Sequence, residues 1–287
     1  MGVGSGYTQQ DVEQLARILT GAGIDLNPEA PRLKPEQQPL LIRDGLFEFN
    51  PARHDFGDKI LLGKTIKGSG FAEIEQAVDI LCASPETARH ISREIAVYFV
   101  SDDPPKALTD RMAQTFMRTG GDIAGVLDAM FHAPEFITAL GVTPGATMGT
   151  RFKDPVRYVL SAVRLAYDDK VIINTAPIQN WLNRLAEGLY NHQTPDGYAM
   201  VSSTWDASGQ MITRFEIARQ IGSNSAGLFK AAGPGAVEEP AFPLLQNSLY
   251  FNGLQSRLST KTRAALDRAI SPQDWNTLLL SSPEFMQ

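Results

Sequence analysis

The chain is poor in the residues that most often build metal and redox sites. Its 287 residues include a single cysteine, Cys82, which excludes an internal disulfide framework and a cysteine zinc cluster. It has four histidines and no His-Glu-x-x-His pattern, so the usual spacing of a histidine metal site is missing. Basic residues are fewer than acidic ones, 26 against 32, and no Lys/Arg-rich run occurs. The sequence therefore lacks the electrostatic footprint of a nucleic-acid-binding protein.

Long hydrophobic runs are also missing. The apolar stretches, such as Ile95 to Val100, are far shorter than the roughly 20 residues that a membrane-spanning helix needs, so we predict no membrane span. Met1 to Gly6 is rich in glycine and lacks the basic start and apolar centre of a signal peptide. We therefore expect no export signal within this chain.

Two common catalytic signatures are absent from the sequence. It has no Gly-x-Ser-x-Gly elbow, and Cys82 lies near the end of an apolar helical stripe, where we expect an inert, buried thiol. Glycine-rich stretches such as Gly68 to Gly70 lack the Walker lysine and a βαβ context. The sequence therefore supports neither a serine or cysteine nucleophile nor a phosphate loop, and we predict no cofactor and no metal.

Apolar residues recur at steps of three and four along most of the chain, which predicts a mainly α-helical fold. We expect an antiparallel helical bundle-like domain with a small β-hairpin insertion. The first helical region covers residues 1–140 and contains a Pro-rich connection at 22–39, which we interpret as exposed. The hairpin lies within residues 46–66, where Leu46 to Phe49 is expected to pair with Ile60 to Ile66.

The second half of the chain repeats the helical pattern. Residues 141–149 are rich in Gly, Pro and Thr and form the best candidate boundary. Residues 150–287 are expected to form a second helical region that packs on the first as one continuous domain. Residues 190–209 form a long polar loop with aromatic residues, a type of loop that is often functional.

The helix that begins after Ser84 is the best marked in the sequence. Ser84 can cap it, and Pro85 stands where a missing N–H does no harm. Pro104-Pro105 ends it. Its apolar residues predict one buried stripe, formed by Ala88, Ile91, Ile95 and Tyr98.

The opposite face of this helix carries Arg89, His90 and Arg93, the first candidate binding cluster. Arg89 and Arg93 are four residues apart and share a face, so together they can hold a carboxylate, sulfate or phosphate. The alternative is a salt-bridge network in which neighbours such as Glu86 and Glu94 neutralise them.

His54-Asp55 is a second candidate. A histidine beside carboxylates suits general acid/base chemistry, and His54, Asp55 and Asp58 within one turn can hold a divalent cation. Adjacent residues rarely point the same way, however, and Asp often binds the local backbone in turns. The alternative is therefore a structural turn tied by Asp55.

The loop at 190–209 supplies the third candidate, centred on Tyr198 and Trp205. Aromatic rings together with a carboxylate, from Asp196 or Asp206, suit binding of a sugar ring or of a protein partner. In the alternative interpretation, Trp205 only plugs the loop onto the helices.

Several motifs, in order along the chain, resemble one known family. They are Tyr7 to Val12, Ala16 to Gly21, His54-Asp55 with Lys59, Leu62-Gly63, Ala88-Arg89 to Pro105, Phe152-Lys153-Asp154-Pro155, Pro195-Asp196-Gly197-Tyr198, Arg214-Phe215 and a repeated Pro-Glu-Phe. Together they resemble the bacterial domain-of-unknown-function family numbered eighteen hundred. The resemblance covers nearly the whole chain.

The resemblance carries expectations about context and none about catalytic residues. It implies that this chain is the C-terminal portion of a longer protein, that members are exported to the periplasm or cell envelope, and that a partner of the alkaline-phosphatase-like sulfatase type is encoded nearby. We therefore expect a non-enzymatic binding or assembly module acting with a partner protein. The alternative is a hydrolase or other enzyme acting on a carbohydrate or on a sulfated or phosphorylated substrate.

Overall fold

The computed structural model describes residues 1–27, 29–139, 152–230 and 241–287. Within these ranges the chain is mainly α-helical with a small antiparallel β part, which confirms the predicted fold class. No helix of the described part is long and apolar enough to cross a membrane. The candidate boundary at 141–149 lies outside the described residues.

The chain divides into two compact units. The first comprises Met1–Phe99 and Pro104–Ile137, and the second comprises Val100–Asp103 and Thr138–Gln287. The packing of residues 150–287 on the first region as one continuous domain stays a prediction.

The first unit holds six helices and five short strands among its described residues. The helices are α1 (Gln9–Ile18), α2 (Phe71–Cys82), α3 (Pro85–Phe99), α4 (Lys106–Thr119), α5 (Ile123–Phe131) and α6 (Pro134–Ala139), whose last residues belong to the second unit. The strands are β1 (Ala22–Ile24), β2 (Ile42–Asp44), β3 (Phe47–Phe49), β4 (Lys59–Leu61) and β5 (Lys64–Ile66). Short 3-10 helices cover Gln38–Leu40 and Pro51–Arg53.

The strand pairing differs from the predicted one. β3 does not pair with β4 or β5; it lies between β1 and β2 in an antiparallel sheet of order β1-β3-β2. β4 and β5 form a separate hairpin. The segment interpreted as an exposed connection at 22–39 therefore begins with a paired strand.

Tight turns explain this local pairing. Two-residue loops of hairpins favour positive φ, and Gly45, between β2 and β3, has φ +56°. Leu62 and Gly63, between β4 and β5, have φ 49° and 76°. β2 therefore pairs with β3 and β4 with β5, because a short loop costs less entropy than a pairing between distant segments.

The buried face of α3 also differs from prediction. Ala88 is buried as expected, but Tyr98 is 44% exposed, and the fully buried positions are the small residues Ser92 and Ala96. Small side chains let α3 pack closely along α4. Cys82, expected to be buried, is exposed at the end of α2.

The described helices of the second unit surround a core that contains Trp181. They are α7 (Pro155–Tyr167), α8 (Ala176–Arg184), α9 (Ser208–Gly222), α10 (Leu249–Leu254), α11 (Thr260–Leu266) and α12 (Pro272–Leu280), with 3-10 helices at Ser202–Thr204, Leu245–Asn247 and Gln255–Arg257. α9 packs against α12 and α7. Trp181, Ile217 and Leu279 are buried between these helices. The loop at 190–209 connects α8 to α9 and is therefore attached to this core at both ends.

Candidate functional site

His54, Lys59 and Glu73 meet in the interior of the first unit. His54 follows a 3-10 helix, Lys59 opens β4, and Glu73 is the third residue of α2. Nε2 of His54 lies 2.9 Å from Oε1 of Glu73, and Nζ of Lys59 lies 2.5 Å from Oε2 of the same carboxylate. All three side chains are fully buried. We call these three residues the buried triad.

The Glu73 carboxylate is held in its charged form. Burial by itself raises the pKa of the Glu73 carboxyl, but hydrogen bonds from His54, Lys59 and two backbone N–H groups outweigh burial, so the pKa is lowered. The backbone donors are Ser69 N at 2.6 Å and Gly70 N at 2.9 Å, and the second is half of a capping box at the start of α2. The carboxylate therefore counterbalances the buried ammonium group.

His54 has both ring nitrogens engaged. Nδ1 lies 2.7 Å from the carbonyl oxygen of Thr20, while Nε2 contacts Glu73. The ring also packs against Phe49 and Phe56, with centroids 5.1 Å and 4.8 Å away. Since the side chain is sealed from solvent and both nitrogens are occupied, this arrangement suits a structural cluster better than proton transfer to a substrate.

Asp55 points to a different partner. Its carboxylate accepts hydrogen bonds from Nε of Arg17 at 2.8 Å and from Gly57 N at 2.8 Å. The Arg17 hydrogen bond is the largest cause that lowers the pKa of Asp55. Asp58 binds Lys67 instead, at 2.5 Å. The structure therefore does not bring His54, Asp55 and Asp58 to one cation, and no group of three or more His, Cys, Asp or Glu residues suited to a metal occurs within the described ranges.

Arg89, His90 and Arg93 lie on one side of α3 without forming a shared site. Arg89 forms an ion pair with Glu86 one turn earlier. Arg93 is exposed, and His90 is half-buried, with its Nδ1 next to Gly2. Arg89 therefore agrees with the alternative interpretation, in which neighbouring glutamates neutralise the arginines.

A shallow groove of about 510 Å³ does open beside Arg89. It lies between α3 and α4, and Arg118 and Asp110 of α4 also line it. Arg93 and His90 are not among its lining residues. Arg89 and Arg118 therefore line the same groove, and because they lie on different helices, sequence spacing along one helix does not reveal this.

Trp205 and Tyr198 hold the loop of the second unit in place. Trp205 is buried, and its indole N–H donates to the carbonyl oxygen of Ala199 at 2.9 Å. Tyr198 is half-buried, and its hydroxyl donates to the carbonyl oxygen of Gly188 at 2.8 Å. The ring of Tyr198 lies 6.3 Å from that of Trp205 and 4.6 Å from that of His192, between centroids. Trp205 therefore anchors the loop, and Tyr198 and His192 extend the aromatic contacts to the surface.

A concavity of about 620 Å³ opens beside these aromatic rings. This volume is in the range of small-molecule binding sites. Side-chain amides of Asn183, Asn191 and Gln193 line it, together with Thr194 and the Tyr198 side chain. We call this surface the amide concavity. Its lining contains no lysine or arginine among the described residues.

Unusual backbone geometry shapes the wall of the amide concavity. Ala186 and Tyr190 have φ of 62° and 58°, a region that residues other than glycine seldom adopt. Between them, a Cβ added to Gly188 would lie 2.1 Å from Oδ1 of Asn183. Glycine at this position therefore lets the Asn183 amide lie directly over the backbone.

Arg214 is a buried charge that the sequence interpretation did not single out as a site. Its guanidinium carbon lies 4.6 Å and 4.8 Å from the ring centroids of Phe152 and Tyr158, and Nη2 donates to the carbonyl oxygen of Lys153 at 2.8 Å. Nε and Nη1 have no hydrogen-bond partner within the described ranges. Two motifs of the family resemblance, at Phe152 to Pro155 and at Arg214, thus meet in the second unit.

Lys59 and Glu73 were not predicted to be site residues from the sequence. Charged residues are usually exposed, so a periodicity argument assigns them to solvent. The available signals were the Gly70-x-x-Glu73 capping pattern and the inward position of Lys59 in β4, where Lys59 and Leu61 are buried and Ile60 is exposed.

These features define a mainly α-helical protein of two compact units, with a buried ionic cluster in the first and a polar concavity in the second. A family model described as "Protein of unknown function (DUF1800)" matches residues 1–287, the whole chain. The chain belongs to this family, as its ordered motifs predicted. Searches of curated proteins and of solved structures found no match.

Proposed function

We propose that this protein is a non-enzymatic binding or assembly module that acts with a partner protein at the bacterial cell envelope. One observation carries the proposal: among the described residues of the first unit, the ionisable candidates do not meet in one pocket. An enzyme needs a base within hydrogen-bond reach of the reacting atom in a common pocket. His54 is sealed in the buried triad, and Arg89 is paired with Glu86. The amide concavity is lined mainly by uncharged groups, which suit recognition rather than proton transfer.

The family resemblance supplies the expected partner. Members are often encoded beside a protein of the alkaline-phosphatase-like sulfatase type and are exported to the periplasm or cell envelope. In this proposal the partner carries out the chemistry, and the present chain binds a ligand or holds the partner in place.

The alternative is a hydrolase or other enzyme that acts on a carbohydrate or on a sulfated or phosphorylated substrate. The groove between α3 and α4 favours it, because Arg89 and Arg118 both line that groove and arginine suits phosphate and sulfate. Asp110 in the same lining is ion-paired with Lys106. In this alternative the two arginines hold the anion of the substrate.

Co-purification and turnover together separate the two functions. The tagged chain is expressed with its sulfatase-type neighbour, the neighbour is quantified by mass spectrometry, and the purified chain alone is assayed on 4-nitrophenyl sulfate, phosphate and glycosides. We expect recovery of the neighbour and no turnover by the chain alone.

Arginine variants make the assay decisive. Turnover that is lost in Arg89→Ala and kept in Arg164→Ala, an exposed arginine of α7, would support the enzyme and contradict the module. Failure to recover the neighbour with the unmodified chain would contradict the proposed partner.

A further inference from the structure

We propose that the amide concavity binds a neutral carbohydrate. This inference rests on the proposed function, because it names the ligand class of the binding module. Three properties of the concavity favour such a ligand: its free amide groups, its aromatic wall and its charge.

The amides offer hydrogen bonds of the kind that sugar hydroxyls need. Each side-chain amide presents an accepting oxygen and two donating hydrogens, and each sugar hydroxyl both donates and accepts. The side chains of Asn183, Asn191 and Gln193 make no hydrogen bond to other residues within the described ranges, although all three line one concavity. Their hydrogen-bonding groups are therefore available to a ligand.

The aromatic wall suits the apolar face of a sugar ring. The hydroxyl of Tyr198 donates to Gly188, so Tyr198 contributes to the concavity through its half-buried ring. His192 packs edge-to-face on that ring and also lines the concavity. Aromatic rings contribute large contact areas at low cost in side-chain entropy, which makes them suitable for C–H surfaces of carbohydrates.

The charge of the concavity favours a neutral ligand. Among the described residues its lining holds no lysine or arginine to pair with a sulfate or phosphate. Asp196 stands next to it, and its carboxylate accepts a hydrogen bond from Thr194, the largest cause that lowers the pKa of Asp196. An ionised carboxylate at this edge repels an anionic sugar and accepts hydrogen bonds from a neutral one.

Calorimetric titration of the full chain tests the inference directly. The probes are maltohexaose, cellohexaose and chitohexaose, with a dextran sulfate oligosaccharide as the anionic counterpart. We expect binding of at least one neutral probe and none of the sulfated probe. The double variant Asn191→Ala, Gln193→Ala should weaken that binding by about tenfold or more, since several hydrogen bonds are lost. Gln179→Ala, an exposed amide of α8 outside the concavity, is the matched control and should bind like the unmodified chain.

Gly188→Ala provides a second variant, which keeps all three side-chain amides and acts by displacing one of them. The added Cβ would lie 2.1 Å from Oδ1 of Asn183 and must displace that amide, which is the movable end of an exposed side chain. Gly188 does not have a positive φ, so alanine fits its backbone. We therefore expect Gly188→Ala to weaken binding as much as Asn183→Ala does, with an unchanged melting temperature.

Three results would overturn the inference. They are no binding of any neutral probe at millimolar concentration, stronger binding of the sulfated probe, or equal affinity of the unmodified chain and the double variant. If the sulfatase-type neighbour is recovered while all three neutral probes fail, the carbohydrate inference falls and the proposed module stands.

Discussion

Replacing Glu73 by Gln is the most informative perturbation of the first unit. The Glu73 carboxylate accepts four hydrogen bonds, one each from His54, Lys59, Ser69 and Gly70. A glutamine keeps only one accepting oxygen. If that oxygen faces His54 and the backbone donors, the new NH₂ group faces the Lys59 ammonium, donor against donor.

The magnitude follows from the burial of Lys59. After the substitution its ammonium keeps only the carbonyl oxygen of Asp55 as an acceptor in this cluster, and the side chain remains sealed from solvent. Breaking a buried ion pair by removing one partner costs about 3–5 kcal/mol. Domains are stable by about 5–15 kcal/mol, so Glu73→Gln should remove a large part of the stability of the first unit.

Hydrogen exchange, measured by mass spectrometry on peptides from residues 54–82, gives the free energy of opening of this region and so measures the loss of stability there. Glu75→Gln, an exposed glutamate on the same helix, is the matched control and should change the free energy of opening by less than about 0.5 kcal/mol. Adding Lys59→Met to Glu73→Gln should restore part of the stability, because the uncompensated charge is then gone. A loss below about 1 kcal/mol for Glu73→Gln, or no recovery in the double variant, would refute the reasoning.

The lowered pKa of Glu73 adds a pH dependence with a definite sign. A carboxyl whose pKa is lower in the folded chain stabilises the fold above its unfolded pKa of about 4.3, and that contribution is lost as the pH falls further. Opening of residues 54–82 should therefore become easier below about pH 4 in the unmodified chain. Glu73→Gln should show a weaker pH dependence in this range.

Three further predictions concern packing and charge elsewhere. Burial lowers the pKa of Lys153 to about 8, below its unfolded value of about 10.4. The free energy of unfolding of the second unit should therefore rise between about pH 8 and 10. If tryptophan-fluorescence unfolding of Lys153→Met shows the same slope of this free energy against pH, the prediction is contradicted. Arg214→Met should lower the urea midpoint of the second unit more than Arg219→Met, which changes an exposed arginine of the same helix. The reason is that Arg214 on α9 donates a hydrogen bond to the Lys153 carbonyl oxygen. Equal midpoints would show that this hydrogen bond is not stabilising. Ala96→Leu should lower the free energy of unfolding by about 1–3 kcal/mol, because the larger side chain overpacks α3 against α4. Arg93→Leu, on the exposed face, should be nearly neutral in thermal unfolding. The reverse order would mean that the buried face is misassigned.

Helix existence was predictable because several local signals agree. Thr8 and Asp11 form the capping box that their spacing indicates, with Asp11 N donating to Thr8 Oγ1 at 3.2 Å and Thr8 N to Asp11 at 2.8 Å. The helix face was harder to predict. In α3 the larger residues Ile91 and Ile95 suggested the core, yet close packing on α4 selects Ser92 and Ala96, and a hydrophobicity pattern cannot weigh that alternative.

The candidate sites show a similar limit. Because His54 and Asp55 are adjacent in the sequence, they were predicted to share a site, but their side chains point to different partners. The carboxylate that contacts His54 belongs to Glu73, nineteen positions away. The 190–209 loop could be singled out as a candidate from its length and aromatic content. The amide of Asn183, which reaches the concavity from α8 over Gly188, depends on tertiary structure and could not be predicted.

Nitrogen-15 NMR of side chains tests the central claim most directly, because asparagine and glutamine amides and arginine Nε groups appear in the same spectra. The full chain is titrated with a neutral hexasaccharide and, separately, with a sulfated oligosaccharide. The account predicts that the neutral ligand shifts the side-chain signals of Asn183, Asn191 and Gln193 and that the sulfated ligand shifts none of them. Movement of the Arg89 and Arg118 signals with the sulfated ligand, while the three amides stay fixed, would contradict the account and favour the enzyme.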